Sequence, residues 1–224
     1  MRLVLFDCDG TLVDSQHMIV DTMMAVFDEQ ALPAPSREDV LGIIGLSLET
    51  GLVRLLGAEA GRAGECAARY RSLFHARRIS SPLEPLYPGA REAVTTLAGQ
   101  DDVLLGIATG KSRRGVDAVL GGHGILEHFL TIQTADDAPS KPHPGMVLQA
   151  MAEVGAVPAE TVVVGDTTFD MEMARSAGAG AIGVDWGYHP HEHLPDAGAE
   201  VVLSSYDQLV PWLDRRWNEP ESAA

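Results

Sequence analysis

Short apolar runs recur along the chain between stretches whose apolar residues repeat at helical spacing. RLVLF (2–6), VLLGIAT (103–109), LTIQTA (130–135), TVVVG (161–165), AIGVDW (181–186) and EVVLSS (200–205) read as strands buried on both faces. Between them GAREAVTTLAG, SRRGVDAVLGGHG, PGMVLQAMAEVG and DMEMARSAG have helical periodicity, and glycine closes each of them. Strand and helix in alternation predict an α/β fold, a Rossmann-like parallel sheet with helices on both faces. Such a sheet binds ligands at the carboxyl ends of its strands.

The alternation lapses between about Ser15 and Pro85. SQHMIVDTMMAVFDEQ, SREDVLGIIG, LETGLVRLLG and GECAARYRSLFHARRI all follow the helical period, and the proline-rich SSPLEPLYPG leads back. We therefore expect a sheet core from residues 1–14 and 86–224, with an α-helical insertion over 15–85 following the first strand. The tail after Trp217, NEPESAA, has the composition of a disordered segment.

Charge narrows the partners. Asp and Glu number 32 against 16 Lys and Arg, a net −16 that repels nucleic-acid phosphates and anionic membrane surfaces. No run approaches the length of a membrane span, and Asp7 interrupts any secretory apolar segment. The expectation is a soluble, cytoplasmic protein with neither a nucleic-acid nor a membrane partner. Cys8 and Cys66 match no metal-ligand spacing and are expected to be reduced thiols.

The polar clusters all follow strands. FDCDGT closes the first, ATGKS (108–112) the second, SKPHP (140–144) the third and GDTTFD (165–170) the fourth. In a parallel sheet these ends share one edge, so Asp7, Asp9, Asp166 and Asp170 are expected to meet there with a threonine and two lysines. Crowded carboxylates repel one another unless a cation lies among them, and an all-oxygen donor set suits a hard divalent ion such as Mg²⁺. Asp166 and Asp170, four apart, are expected on one face of a helical first turn. Lys111 and Lys141 are the only lysines among the 16 basic residues, and both fall in these clusters. A compact ammonium there suits a phosphate, although Lys111 could equally cap a turn.

With DxDGT, Thr-Gly, Lys-Pro and GDxxxD in order on four strand ends, the chain resembles the magnesium-dependent phosphatases of the haloacid dehalogenase-like superfamily. The helical insertion resembles the cap of the phosphoglycolate phosphatase-like branch. The resemblance implies that Asp7 is the nucleophile, forming an aspartyl-phosphate, and Asp9 the general acid and base. Two residues apart on an extended strand end, these side chains point the same way and Cys8 points the other. The resemblance further implies that Gly10, Thr109, Gly110 and Lys141 bind the phosphate. Mg²⁺ would take the Asp7 carboxylate, the Asp9 backbone carbonyl and Asp166. Asp170 would ligate directly, act through water or hold Lys141, and Lys111 would support the site.

Phosphoglycolate leads as the substrate by branch alone, with other small phosphorylated metabolites behind it. A sugar phosphomutase of the beta-phosphoglucomutase type, a pyrophosphatase and a catalytically silent binding module are the alternatives. A phosphonate hydrolase would need a cap lysine, and residues 15–84 have none. Asp9 argues against a true dehalogenase. A monomer or weak homodimer fits the insertion, whose hinges are expected near Asp14–His17 and Leu83–Pro88.

Other features take plainer readings. His189, His191 and His193 alternate in YHPHEHLPD, which favours a surface loop over a zinc site. His17 is expected on a helix surface. RYRSLFHARR (69–78) is read as a solvated helix face, and also as the cap stretch best placed to attract an anion. GIIGLS (42–47) is a candidate for reaching over the core site.

Overall fold

The computed structural model describes residues 1–218. Strand β1 (Arg2–Phe6) is followed by four helices, α1 (Gln16–Glu29), α2 (Arg37–Leu41), α3 (Leu48–Leu56) and α4 (Ala63–Ser80). The alternating part then runs α5 (Ala90–Ala98), β2 (Val103–Ala108), α6 (Arg113–Gly122), β3 (Phe129–Gln133), α7 (Gly145–Val154), β4 (Thr161–Gly165), α8 (Thr168–Ser176) and β5 (Gly180–Val184). It closes with α9 (Leu194–Ala197), β6 (Val201–Leu203) and α10 (Leu209–Asn218). The strands form one parallel sheet in the order β3-β2-β1-β4-β5-β6. This is the Rossmann-like arrangement expected from the apolar runs. Asn218 ends α10, and the rest of the NEPESAA tail lies outside the described residues.

The strand alternation divides the core. Val4 and Phe6 face a cluster with Val94 and Leu97 of α5, Val116 and Leu120 of α6, and Leu213 of α10. Leu3 and Leu5 face the opposite cluster, with Met146 and Val147 of α7 and Met171 and Ala174 of α8. Both faces are thus buried, which explains why the strands read as continuous apolar runs. The observed strands stop short of the apolar runs at several ends. β3 ends at Gln133 and β6 at Leu203, because the polar residues beyond them turn into loops.

The inserted helices carry their own core, built on Met23, Val26, Phe27, Leu52, Cys66 and Tyr70. The chain's two crossings between insertion and sheet lie side by side, with Val13 and Leu86 in an antiparallel bridge. The Asp14 amide donates to the Pro85 carbonyl at 2.9 Å, and the Tyr87 amide to the Leu12 carbonyl at 3.0 Å. Among the described residues no helix is long and apolar enough to cross a membrane.

In this strand order the topology reverses between β1 and β4, where neighbouring connections leave in opposite directions and open a crevice. Asp7 directly follows β1 and Asp166 directly follows β4, so the fold delivers both to that crevice.

Candidate active site

Asp7 extends the β1 pairing by one residue, its amide donating to the Val164 carbonyl at 2.9 Å. The Asp7 side chain is fully buried. Its Oδ1 accepts the Cys8 amide at 2.7 Å and lies 3.0 Å from Lys141 Nζ. Its Oδ2 is buried without a hydrogen-bond partner. Cys8 points into the sheet core, as the strand alternation predicts, and burial pushes its thiol well above the ordinary range.

Asp166 is held from two sides. Its Oδ1 accepts the Thr11 hydroxyl at 2.9 Å and its Oδ2 the Tyr188 amide at 2.8 Å. Thr11 is itself fixed, because Trp186 Nε1 and the Tyr206 hydroxyl donate to its carbonyl at 3.1 and 2.8 Å. Two glycines make this approach possible. A Cβ on Gly10, whose φ is +88°, would fall 2.3 Å from Asp166 Oδ2, and one on Gly187 would fall 2.0 Å from Asp166 Cβ.

Asp170 is the N3 residue of α8. Its Oδ2 accepts the Thr167 amide at 3.1 Å and hydroxyl at 2.6 Å, and Thr167 accepts the Asp170 amide in a reciprocal capping box. Its Oδ1 accepts Lys141 Nζ at 2.6 Å. Of the roles left open for Asp170, anchoring Lys141 is the one this arrangement contains. Asp166 corrects the sequence expectation, since it precedes the N-cap Thr167 and is not on the helical turn. Asp7, Asp166 and Asp170 nevertheless converge, with one carboxylate oxygen from each inside 4.8 Å.

Asp9 has different partners. Lys111 Nζ donates to its Oδ1 at 2.7 Å and Oδ2 at 3.0 Å, and the Ser15 hydroxyl donates to Oδ1 at 2.6 Å. Each of the chain's lysines therefore holds one of the two aspartates in FDCDGT. Ser15 precedes α1, and its amide donates to the Tyr188 hydroxyl oxygen at 2.9 Å. Ser15 and Tyr188 were not singled out from the sequence. The serine stands beside a legible motif, but nothing in the local pattern around Tyr188 points to its part.

Charge balance in the buried group is negative. Burial, followed by the Asp170 carboxylate, raises the Asp166 pKa well above the ordinary range. Burial likewise pushes Asp7 up to about 6, although Lys141 pulls it down. Lys141 in turn is raised, because the Asp170 and Asp7 carboxylates outweigh the burial that opposes its charge. A hard cation fits these observations: an orphaned buried oxygen on Asp7, an all-oxygen donor set and crowded carboxylates short of positive charge.

Above this group lies a cavity of about 840 Å³ between the sheet edge and the insertion, reached by Asp7, Asp9, Thr109, Gly110 and Lys111. GIIGLS does reach over the site. A Cβ on Gly110 would fall 2.4 Å from the Leu46 carbonyl oxygen, and the Ser47 amide donates to Ser140 Oγ at 2.8 Å. RYRSLFHARR divides its residues. Arg69 pairs with Glu29 on an exposed face, whereas Arg71, His75 and Arg78 line the cavity.

The histidine loop lies at the surface as expected, with one residue tucked in: His189 is half-buried, its Nδ1 accepting the Thr168 amide at 3.3 Å and its ring packing edge-on against Phe169. His191 and His193 are exposed, and the three histidines form no ligand cluster among the described residues.

Comparison with known proteins places this geometry. The model for "haloacid dehalogenase-like hydrolase" matches residues 4–184. The chain belongs to that family. It is 36% identical to the "probable phosphatase IndB" of Dickeya dadantii over 93% of this chain and 91% of that one. It is 30% identical to a phosphoglycolate phosphatase of Pectobacterium atrosepticum over 95% of this chain and 92% of that one. A hydrolase structure from Pseudomonas syringae superposes with a TM-score of 0.84 at 26% identity, covering 96% of this chain and 99% of that chain. The family membership makes this chain a hydrolase.

Proposed function

We propose that this hydrolase is a magnesium-dependent phosphomonoesterase working through an aspartyl-phosphate on Asp7. The observation that carries the reading is the pairing of Asp7 with Lys141 and of Asp9 with Lys111 beneath one cavity. Each carboxylate is aimed and charge-compensated separately, which two different roles require.

In the first step an Asp7 oxygen attacks phosphorus as the ester P–O bond breaks, and Asp9 gives its proton to the departing alkoxide. In the second, water attacks the phosphorus of the acyl phosphate, Asp9 takes a proton from that water, and the bond to Asp7 breaks to release phosphate. Lys141, anchored by Asp170, sets positive charge beside the transferring group. Thr109 and the Gly110 amide stand ready to hold phosphate oxygens. Mg²⁺ would be held by the Asp7 carboxylate, the Asp9 carbonyl and Asp166, and when bound it supplies Lewis-acid neutralisation of the phosphoryl charge. The insertion, taken as residues 15–85, acts as a cap that excludes water, hinged near Asp14–His17 and Leu83–Pro88.

Small phosphorylated metabolites are the substrate class, and phosphoglycolate is the member that the branch resemblance offers first. Release of p-nitrophenol from p-nitrophenyl phosphate with Mg²⁺ tests the reading. Wild type should turn over, Asp7→Asn should be inactive, and Asp9→Asn should bind without hydrolysing. Normal turnover by Asp7→Asn would end the assignment, and inertness with magnesium, manganese and cobalt alike would favour a silent binding module.

A further inference from the structure

The cavity over the candidate site is larger than a two-carbon acid needs. Its volume of about 840 Å³ lies toward the top of the ~300–1,000 Å³ range of small-molecule sites. The wall that the insertion contributes is largely apolar, with Ile19, Met23, Ile44, Leu46 and Phe74 facing the space. Phe74 stacks on Tyr70 at 5.6 Å between ring centres, and the Arg78 guanidinium and Lys111 ammonium lie 5.7 and 5.5 Å from its ring centre, so the ring is held in place.

The inner charges of this wall are matched, Lys111 by Asp9 and Arg78 by Glu84 at 3.1 Å, whereas Arg71 pairs with Glu49 at the exposed rim. Arg114 has no carboxylate partner among the described residues, but it is exposed, with its guanidinium against His75 at the rim. A second anionic group on a substrate would have to break one of the inner pairs or stay at the rim. An uncharged ring would cover the apolar wall and leave every pair intact.

We infer that this site takes phosphomonoesters of uncharged, ring-bearing alcohols in preference to phosphoglycolate. The inference rests on the phosphomonoesterase reading and names the substrate class of that same site. The ring lies against Phe74 and Met23 while the phosphate reaches Asp7, and Arg114 attracts the incoming anion from outside.

Benzyl phosphate and 2-phosphoglycolate provide the test, since both release an alkyl alcohol and they differ in charge and in ring. For the full chain with Mg²⁺, kcat/KM for benzyl phosphate should exceed that for 2-phosphoglycolate by about tenfold. Equal values or the reverse order overturn the inference. Phe74→Ala should raise KM for benzyl phosphate and narrow the ratio, and an unchanged ratio would count against the aromatic wall. Glu49→Gln, a half-exposed position that can be changed without disturbing the fold, should narrow the ratio from the other side by freeing Arg71 for the glycolate carboxylate. A phosphoglycolate preference with p-nitrophenyl phosphate still hydrolysed removes only this inference. Inertness toward all three esters removes the phosphatase reading itself.

Discussion

The Ser15 hydroxyl donates to Asp9 Oδ1 at 2.6 Å from the position where the β1 loop enters the first inserted helix. The same serine's amide meets the Tyr188 phenol, and the Tyr188 amide meets Asp166. One hydrogen-bonded chain therefore runs from the proposed acid, through the hinge, to the proposed metal ligand.

Removing the first link should loosen Asp9 without touching the phosphate cradle. Ser15→Ala should lower kcat by about tenfold with little change in KM, because a misaimed acid affects the transition state more than binding. Steady-state kinetics on p-nitrophenyl phosphate read this split, and Ser15→Thr should recover part of the loss.

Lys141 is the only cation touching both Asp7 and Asp170 among the described residues. Lys141→Met leaves buried carboxylates uncompensated and should destabilise the metal-free protein by about 3–5 kcal/mol. Because added Mg²⁺ replaces the lost positive charge, urea unfolding should show a larger magnesium-induced gain for the variant than for wild type. An equal gain would contradict the coupling between Lys141 and the metal, and no gain in either protein would contradict the proposed cation site.

Gly187→Ala places a methyl where Asp166 now stands. The carboxylate must move away, and magnesium affinity by calorimetry should fall about 10–100-fold, as when ligand-orienting contacts are lost. Gly61→Ala is the control, since neither glycine has a positive φ and a Cβ on Gly61 would meet nothing within 4 Å.

His189 should make stability depend on pH. Burial holds its pKa below the ordinary 6.5, so the folded protein keeps the ring neutral while the unfolded chain protonates it. Stability is then full above pH 6.5 and declines as pH falls from there toward the lowered folded value. Thermal melts across that window should show a shallower decline for His189→Gln than for wild type.

How much of this was legible from the residues depends on distance along the chain. The sheet was readable because strands buried on both faces must be apolar throughout, as in RLVLF and TVVVG. The site's location was readable because FDCDGT and GDTTFD each follow such a run, and parallel strands share one carboxyl edge. The insertion was readable because SQHMIVDTMMAVFDEQ, SREDVLGIIG, LETGLVRLLG and GECAARYRSLFHARRI each follow the helical period. These signals are local, carried by contiguous side chains.

The pairings were not local. No spacing tells Lys111 to take Asp9 and Lys141 to take Asp7, since those contacts depend on which loop folds over which strand. Tyr188 reaches Ser15 across 173 positions, and Gly187 matters only because Asp166 arrives beside it. The matched charges of the cavity belong to the same class, because an arginine in the sequence is a free cation until a folded neighbour neutralises it. Sequence by itself determined the elements and the edge on which the chemistry collects, through periodic burial. Tertiary structure alone decided which charges remain open to a ligand, because electrostatic compensation acts through space at a few ångströms and leaves no period in the chain.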